Sequence, residues 1–338
     1  MRDILDTLER WIAEGHDAAI ATVVGTERSA PREPGSSMAV SDAVEIAGSV
    51  TGGCVEPAVY EHAQEVLDGG PPRLATFGIA DEEAFEVGLP CGGTVHIFIS
   101  RLDPAVVSAV ADAVRDERPV ATLTAVEGPS LGAQRIVTPD ERMEEAEREL
   151  VARGRAGIVA EGADRVFVSP FMPRPAMYVF GAIDHSSALA RIGRFLGYRV
   201  TVCDARGAFV TPERFPDVDE LVVAWPHEFL ATAPIDERTA VCVLTHEARF
   251  DVPVLKVALE SPAGYIGAMG SRRTTERRNE RLREEGLTDE QIARIHAPIG
   301  LQIGSRTPEQ VAIAIAAEIV ASMQASPTKE GHEARERV

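Results

Sequence analysis

The sequence predicts an α/β protein, with an N-terminal mixed α/β domain followed by a Rossmann-like domain built on a parallel sheet. Three observations lead there. A chain of 338 residues with 45% hydrophobic content exceeds the size at which a single core stops growing, so two domains are expected. Met172-Pro173-Arg174-Pro175 interrupts regular structure, because proline and the residue before it both resist helix. Beyond that point continuous apolar runs alternate with helical patterns, which implies a parallel sheet covered on both faces. The expected domains are residues 1–172 and 176–325, with a polar, disordered tail over 326–338.

The first domain opens with Ile4, Leu5, Leu8, Trp11 and Ile12 at helical spacing, an amphipathic helix. Residues 18–24 form an apolar β-rich run, and Pro31, Pro34 and Gly35 mark a loop after it. Further strands are expected at 37–40, 43–49, 73–77 and 94–100, with a helix over 56–67. The stretch 103–172 carries a helix near 105–115, a strand near 119–125 and a charged helix near 139–153.

The second domain reads as strands at 176–180, 199–203, 220–223, 239–244 and 265–268, with helices over 186–196 and 252–260. Thr288 with Gln291, and Thr307 with Pro308 and Gln310, have the spacing of helix capping boxes. Between them, residues 294–300 form a loop directed toward an arginine-bearing turn, and Val311, Ile315 and Ile319 bury a final helix.

Charge and cysteine usage exclude several classes. A net charge of −19 opposes binding to nucleic acid or anionic membranes, which need a positive face. No apolar run approaches the length of a membrane span, and the start lacks a signal peptide's apolar stretch, so a cytoplasmic protein is expected. The four cysteines, at 54, 91, 203 and 242, have neither disulfide-scaffold density nor paired CxxC spacing. They are expected to be free thiols.

Two short runs stand out, Thr51-Gly52-Gly53-Cys54-Val55-Glu56 and Gly88-Leu89-Pro90-Cys91-Gly92-Gly93. Each sets a thiol beside paired glycines, where the backbone turns sharply or presses against a ligand, a setting that presents the sulfur, the alternative being a small buried hydrophobe. Cys54 falls just before a helix N-terminus, where free N–H groups and the helix dipole favour the thiolate as nucleophile or soft-metal ligand. Two such sites in one domain imply one pocket. Gly53, Cys54, Glu56, Cys91 and Gly92 are its expected cofactor-binding residues, with Cys54 and Cys91 as metal ligands.

In the second domain, GxGxxG is expected between the first strand and its helix, but the sequence reads Gly181-Ala182-Ile183-Asp184-His185-Ser186. Only the first glycine is kept, and Asp184 adds an anion where pyrophosphate would lie. Asp204, 23 positions after Gly181, stands where an acidic residue would bind a ribose hydroxyl, or caps a turn. Asp184 and His185 lie at the strand's carboxyl edge, where ligands of open sheets bind. His246 follows the fourth strand at the same edge and suits proton exchange or metal binding. Six arginines lie within twelve positions from Arg272. Arg272 and Arg273, just after a glycine turn, suit a phosphate or planar anion. Most of the later ones alternate with glutamates at helical spacing, as solvated ion pairs.

These blocks together resemble the XdhC/CoxI family of maturation factors for molybdenum hydroxylases. The resemblance runs through 29–35, 48–56 and 90–93 in the first domain, and through 265–273 and 294–300 in the second. It implies an accessory protein rather than an enzyme, one that holds the molybdenum cofactor (molybdopterin), supports its sulfuration and passes it to a hydroxylase apoenzyme. The implied partners are that apoenzyme and a sulfur donor such as a cysteine desulfurase. Soft thiolates suit a metal–sulfur centre, and arginines with backbone N–H groups suit a pterin phosphate. The family's glycine-rich turn with histidine is replaced here by Ile183, Asp184 and Ser186. An NAD(P)-linked oxidoreductase using the Rossmann-like half is the alternative, and a module that docks onto a hydroxylase without touching cofactor is a third. Uncovered sheet edges make a homodimer plausible.

Overall fold

The computed structural model describes residues 1–28, 31–78 and 93–324. Its chain divides into two compact units, Met1–Pro173 and Arg174–Val338.

The first unit contains α1 (Leu5–Glu14), β1 (Ala18–Glu27), β2 (Ser37–Ser41), β3 (Ile46–Gly48), α2 (Glu56–Leu67), β4 (Arg73–Phe77) and β5 (Thr94–Arg101). These are followed by α3 (Pro104–Arg115), β6 (Val120–Glu127), β7 (Gln134–Val137), α4 (Glu145–Ala152), β8 (Gly157–Glu161) and β9 (Asp164–Phe171). Two antiparallel sheets result, ordered β3-β2-β1-β5-β4 and β7-β6-β9-β8.

The alternation of side chains along β1 builds both sides of the first sheet. Ala19, Ala21 and Val23 pack with Val59, Ala63 and Val66 of α2, while Val24 meets Phe98, Val126 and Phe167 toward the second sheet. A small hollow of about 50 Å³ remains on that side, edged by Thr22, Ser100, Thr122, Thr124 and Ser169. Because β1 is covered on both faces, its run from Ala18 to Val24 is apolar but for Thr22 rather than alternating.

The second sheet of this unit is only partly foreseen from sequence, since the strands β7, β8 and β9 are not read there. The helix expected over 139–153 starts only at Glu145, where Glu144 and Glu147 close a reciprocal capping box. The strand expected over 43–49 is confined to Ile46–Gly48, with Val44 in the turn before it at φ 65.

The second unit contains β10 (Ala176–Phe180), α5 (Asp184–Phe195), β11 (Arg199–Cys203), β12 (Glu220–Val222), α6 (Pro226–Leu230), β13 (Ala240–Val243) and α7 (Ala248–Leu259). It ends with β14 (Tyr265–Ala268), α8 (Arg272–Glu284), α9 (Asp289–Ile292), β15 (Ile295–His296) and α10 (Pro308–Gln324). The strands lie β12-β11-β10-β13-β14-β15 and are parallel throughout. This is the 3-2-1-4-5-6 order of doubly wound folds, in which the order reverses between the first and fourth strands.

Alternate residues of these strands face opposite helical layers. Met177, Val179, Val200 and Ala240 pack toward α5 and α10, and Tyr178, Phe180, Val241 and Ile266 toward α6 and α7. Each fully buried Val or Leu contributes roughly 1.5–3 kcal/mol, which is why these strands read as unbroken apolar runs. Cys203 and Cys242 belong to this core, and burial pushes the Cys203 thiol up to about 12. Among the described residues no helix is long and apolar enough to cross a membrane.

Candidate functional site

The Cys54 loop is moulded around one carboxylate. Glu56 is the first residue of α2, and its Oε1 accepts from Ser49 Oγ at 2.6 Å and from the N–H groups of Val50, Thr51 and Gly52 at 3.2, 2.8 and 2.9 Å. Its Oε2 accepts from Thr51 Oγ1 at 2.7 Å and from Gly53 and Val55 N–H at 2.8 and 3.2 Å. Successive N–H groups can converge on one anion only if the backbone curls, and Gly52 and Gly53 supply the curl at φ 89 and 126. Burial raises the Glu56 carboxyl, but the bonds from Ser49 and Thr51 outweigh it and hold the group well below the usual carboxylate range.

This arrangement alters two sequence expectations. The N–H groups expected to favour a thiolate are already taken up: Cys54 N–H itself goes to Thr51 Oγ1 at 3.2 Å, and its neighbours go to Glu56. Glu56, expected to bind cofactor, has its oxygens turned into its own loop. What the loop presents is Cys54, half-buried beside the core of α2, with Gly52 and Gly53 exposed next to it. Cys91 and Gly92, the other expected members of the pocket, lie outside the described residues. Among the described residues no group of three or more His, Cys, Asp or Glu side chains is placed to hold a metal ion.

In the second unit the expected residues gather along the carboxyl edge of the parallel sheet. Gly181 follows β10 at φ 108, and a side chain there would stand 2.9 Å from Thr245 Cγ2 and 3.2 Å from Thr245 N. The glycine therefore lets the loops after β10 and β13 meet at the point where strand order reverses. Ser186, fully buried, occupies the third glycine position of the nucleotide pattern, and its hydroxyl donates to the Gly181 carbonyl. A hollow of about 230 Å³ opens nearby, lined by Ala182, Ile183, Asp184, Arg206, Phe209 and Arg214. Asp184 stands exposed at its rim, 3.5 Å from Arg214. His185 has as its electrostatic neighbour Glu309 at the start of α10.

Asp204 does not offer a free carboxylate to a ribose. It is 2% exposed, its Oδ1 accepts from Arg206 N and Nε, both at 2.9 Å, and its Oδ2 accepts from Ala182 N and Arg206 Nη2 at 2.8 and 2.7 Å. Those four bonds fill the acceptor positions of a carboxylate. Burial pushes the group up, and Arg206 with the two N–H groups more than reverses this, holding it below its ordinary value. Asp204 thus tethers the turn after β10 to the end of β11, the turn role that the sequence offered beside ribose binding.

His246 is exposed in the loop after β13. Beside it lies a residue that sequence reasoning missed, Asp251, 3% exposed and accepting a short hydrogen bond from Thr245 Oγ1. Burial raises its carboxyl to about 6, against the opposing pull of the Thr245 bond and of Arg278. No spacing signal marks such a group, because an acid in a helix's first turn is ordinarily a solvated one.

The neighbouring loop holds Arg272 and Arg273, the first two residues of α8. It is tied to the β13 edge by Met269 N–H donating to Val243 O at 2.8 Å, and flanked by Ile299 N–H donating to Ala268 O at 3.1 Å. Within 294–300, expected as a loop, Ile295–His296 instead form β15, and Ile299 meets the end of β14 just before the arginine turn. Arg294 anchors this segment by donating to the carbonyls of Leu259, Ser261 and Ala263 at 2.7, 3.1 and 2.9 Å. The later arginines are not uniformly solvated ion pairs. Arg283 pairs with Asp289 at 2.7 Å, but Arg278 is buried at 4% exposure and donates to Met269 O at 2.9 Å.

A doubly wound parallel unit following an antiparallel α/β unit with a Gly-Gly-Cys turn defines a recognisable class. Residues 177–319 match the XdhC Rossmann domain, and residues 11–78 match the XdhC and CoxI family. The chain belongs to the XdhC and CoxI family. It is 28% identical over 319 residues to the molybdenum cofactor insertion chaperone PaoD of Escherichia coli (strain K12), across 94% of this chain and 87% of the relative. Over 326 residues it is 24% identical to a probable xanthine dehydrogenase subunit of Bacillus subtilis (strain 168), across 93% and 95% of the two chains. A crystal structure of a xanthine dehydrogenase from Bacillus halodurans shares the fold, with TM-score 0.65 and 23% identity over 97% of this chain and 98% of that one.

Proposed function

We propose that this chain is an insertion chaperone for the molybdenum cofactor, serving a hydroxylase of the xanthine dehydrogenase type. The observation that carries the reading is its near full-length similarity to a protein named as such a chaperone. The geometry is compatible: Cys54 is set on a rigid, glycine-opened loop, and thiolate is a soft ligand suited to a metal–sulfur centre. In this reading Cys54 and Cys91 hold the molybdenum end of the cargo, with Gly53 and Gly92 giving close backbone approach. Asp184, His185, His246, Arg272 and Arg273 line the polar edge of the second unit, and Gly181 opens that edge. Glu56 and Asp204 act by holding loops in place.

The finer parts of the proposal are that the cofactor is held while a sulfur donor such as a cysteine desulfurase acts on it, that the recipient is a hydroxylase apoenzyme, and that the chain works as a cytoplasmic homodimer. An NAD(P)-linked reading draws on strand order alone, since the acceptor positions of Asp204 are filled.

The test is molybdenum and pterin content per chain after purification from molybdate-fed cells. Cys54→Ser is expected to lower retention about tenfold, the scale of losing one thiolate's nucleophilic or ligating role, while Cys203→Ala leaves it unchanged. Wild-type protein carrying neither molybdenum nor pterin above background overturns the reading.

A further inference from the structure

The start of α8 carries charge of the wrong sign for a helix. Cations are disfavoured at an N-terminus, where the dipole and free N–H groups are already positive. Even so, Arg272 and Arg273 occupy the first two positions, the first turn has no acidic residue, and Ser271 caps it through Thr274 N–H. Both arginines are exposed, and neither side chain has a hydrogen-bond or ion-pair partner among the described residues. In a chain of net charge −19, acidic partners are abundant, so two guanidiniums left unpaired at a positive helix end are a specific arrangement.

A third arginine lies beneath them. Arg278 is 4% exposed, its Nη1 donates to Met269 O at 2.9 Å and its Nη2 reaches Thr275 Oγ1 at 3.5 Å. Its Nε is buried with no partner, so a desolvated guanidinium uses few of its five donors. Above it Gly270, at φ 146, carries no side chain. A Cβ there would stand 3.3 Å from Thr274 and 3.8 Å from Arg278 Nη1, so any side chain at this position would begin against the buried guanidinium. The buried guanidinium, which has Asp251 as an opposite charge, thus lies next to the glycine turn from which the unpaired arginine pair follows.

We propose that the Gly270–Arg273 turn, with Arg278 beneath it, is a phosphate-binding site that takes the phosphate end of the chaperone's cargo. Phosphate suits it because guanidinium forks and helix N–H groups match tetrahedral oxyanions. The identity of the cargo rests on the chaperone reading, while the oxyanion site itself does not. A phosphomonoester and the diphosphate of a nucleotide-bearing cofactor share this chemistry.

Calorimetric titration of the full chain with inorganic phosphate and with inorganic pyrophosphate tests the proposal. Saturable binding is expected, weakened at least about tenfold in Arg272→Ala/Arg273→Ala, the scale of losing a charge-assisted bidentate contact, and within about twofold of wild type in Arg281→Ala, an exposed arginine further along the same helix. Tighter binding of phosphate assigns a monoester, and tighter binding of pyrophosphate a diphosphate. Lys at both positions is expected to restore part of the affinity, because the charge returns without the fork. Absence of saturable binding by the wild type overturns the site, as does equal weakening by Arg281→Ala. If the wild type binds neither anion but the double variant loses a hydroxylase in pull-down, the site is overturned and the arginines belong to a protein partner. Cys54→Ser is expected to keep phosphate affinity while losing molybdenum. Molybdenum retention without phosphate binding therefore refutes this site alone, and phosphate binding without molybdenum refutes the chaperone reading alone.

Discussion

At the scale of single residues, Glu56 shows how a motif's charged member can serve its own loop. Seven donors converge on one carboxylate, and hydrogen bonds to a charged acceptor are among the stronger ones. Glu56→Gln keeps the shape but turns one acceptor oxygen into an NH₂ facing N–H and O–H donors. A loss of about 2 kcal/mol in the first unit is expected, with faster alkylation of Cys54 as the loop opens, read by timed iodoacetamide labelling. Unchanged stability and labelling rate would remove the positioning role. The sign of the pH effect is fixed by the depressed Glu56 carboxyl: its contribution is fully present above the unfolded-state value and is lost as pH falls below it. Glutamine at this position should therefore flatten the acid limb of the stability profile.

At the scale of elements, glycines set which segments come close. Gly267 lies within β14, where a Cβ would meet Ile299 Cδ1 at 2.5 Å, Ile299 Cγ1 at 2.6 Å and Tyr265 Oη at 2.7 Å. Tyr265 Oη donates to Glu318 Oε2 at 2.7 Å, and Gly300 N–H donates to the same oxygen at 2.8 Å. Gly267→Ala thus presses on the packing and the hydrogen bonds that hold the 294–300 segment against α10. A cost of roughly 1–3 kcal/mol is expected for this overpacking, checked by urea unfolding. A midpoint unchanged from wild type would show that Ile299 moves aside freely.

The parallel strands of the second unit were legible because burial on both faces writes an unbroken apolar run. The second sheet of the first unit was not. β7 has only four residues, β8 is half exposed along its length, and β9 contains Pro170, which demotes a strand when read from sequence alone. At the candidate site, the Gly-Gly-Cys turn and the arginine pair were visible as local spacing. Asp251, Arg206 and Arg278 were not, because their importance comes from burial and from partners on other elements.

At the scale of the whole molecule, the chain carries a natural pair of reporters. Its two tryptophans are Trp11, fully buried in the first unit and donating to Glu45 at 2.8 Å, and Trp225 in the second, packed on Phe250 at a ring separation of 5.2 Å. A chain of two units need not unfold in one step, so Trp11→Phe leaves Trp225 to report the second unit. Asp251 supplies the perturbation to follow. Its carboxyl is raised to about 6 in the folded protein from an ordinary 3.8, so between those values the folded state holds the proton and the unfolded state has lost it. Stability must then fall as pH rises through this window, the opposite slope to that set by Glu56. A difference of that size between the folded and unfolded carboxyl corresponds to at most about 3 kcal/mol. Asp251→Asn keeps an acceptor for Thr245 and cannot ionise, so it should remove the fall. Trp225 fluorescence in urea at pH 4, 5 and 6, with and without Asp251→Asn in the Trp11→Phe background, measures it. A difference between the two proteins that stays constant across those pH values would show that Asp251 titrates no differently when folded, and that Arg278 and Thr245 fully compensate its burial.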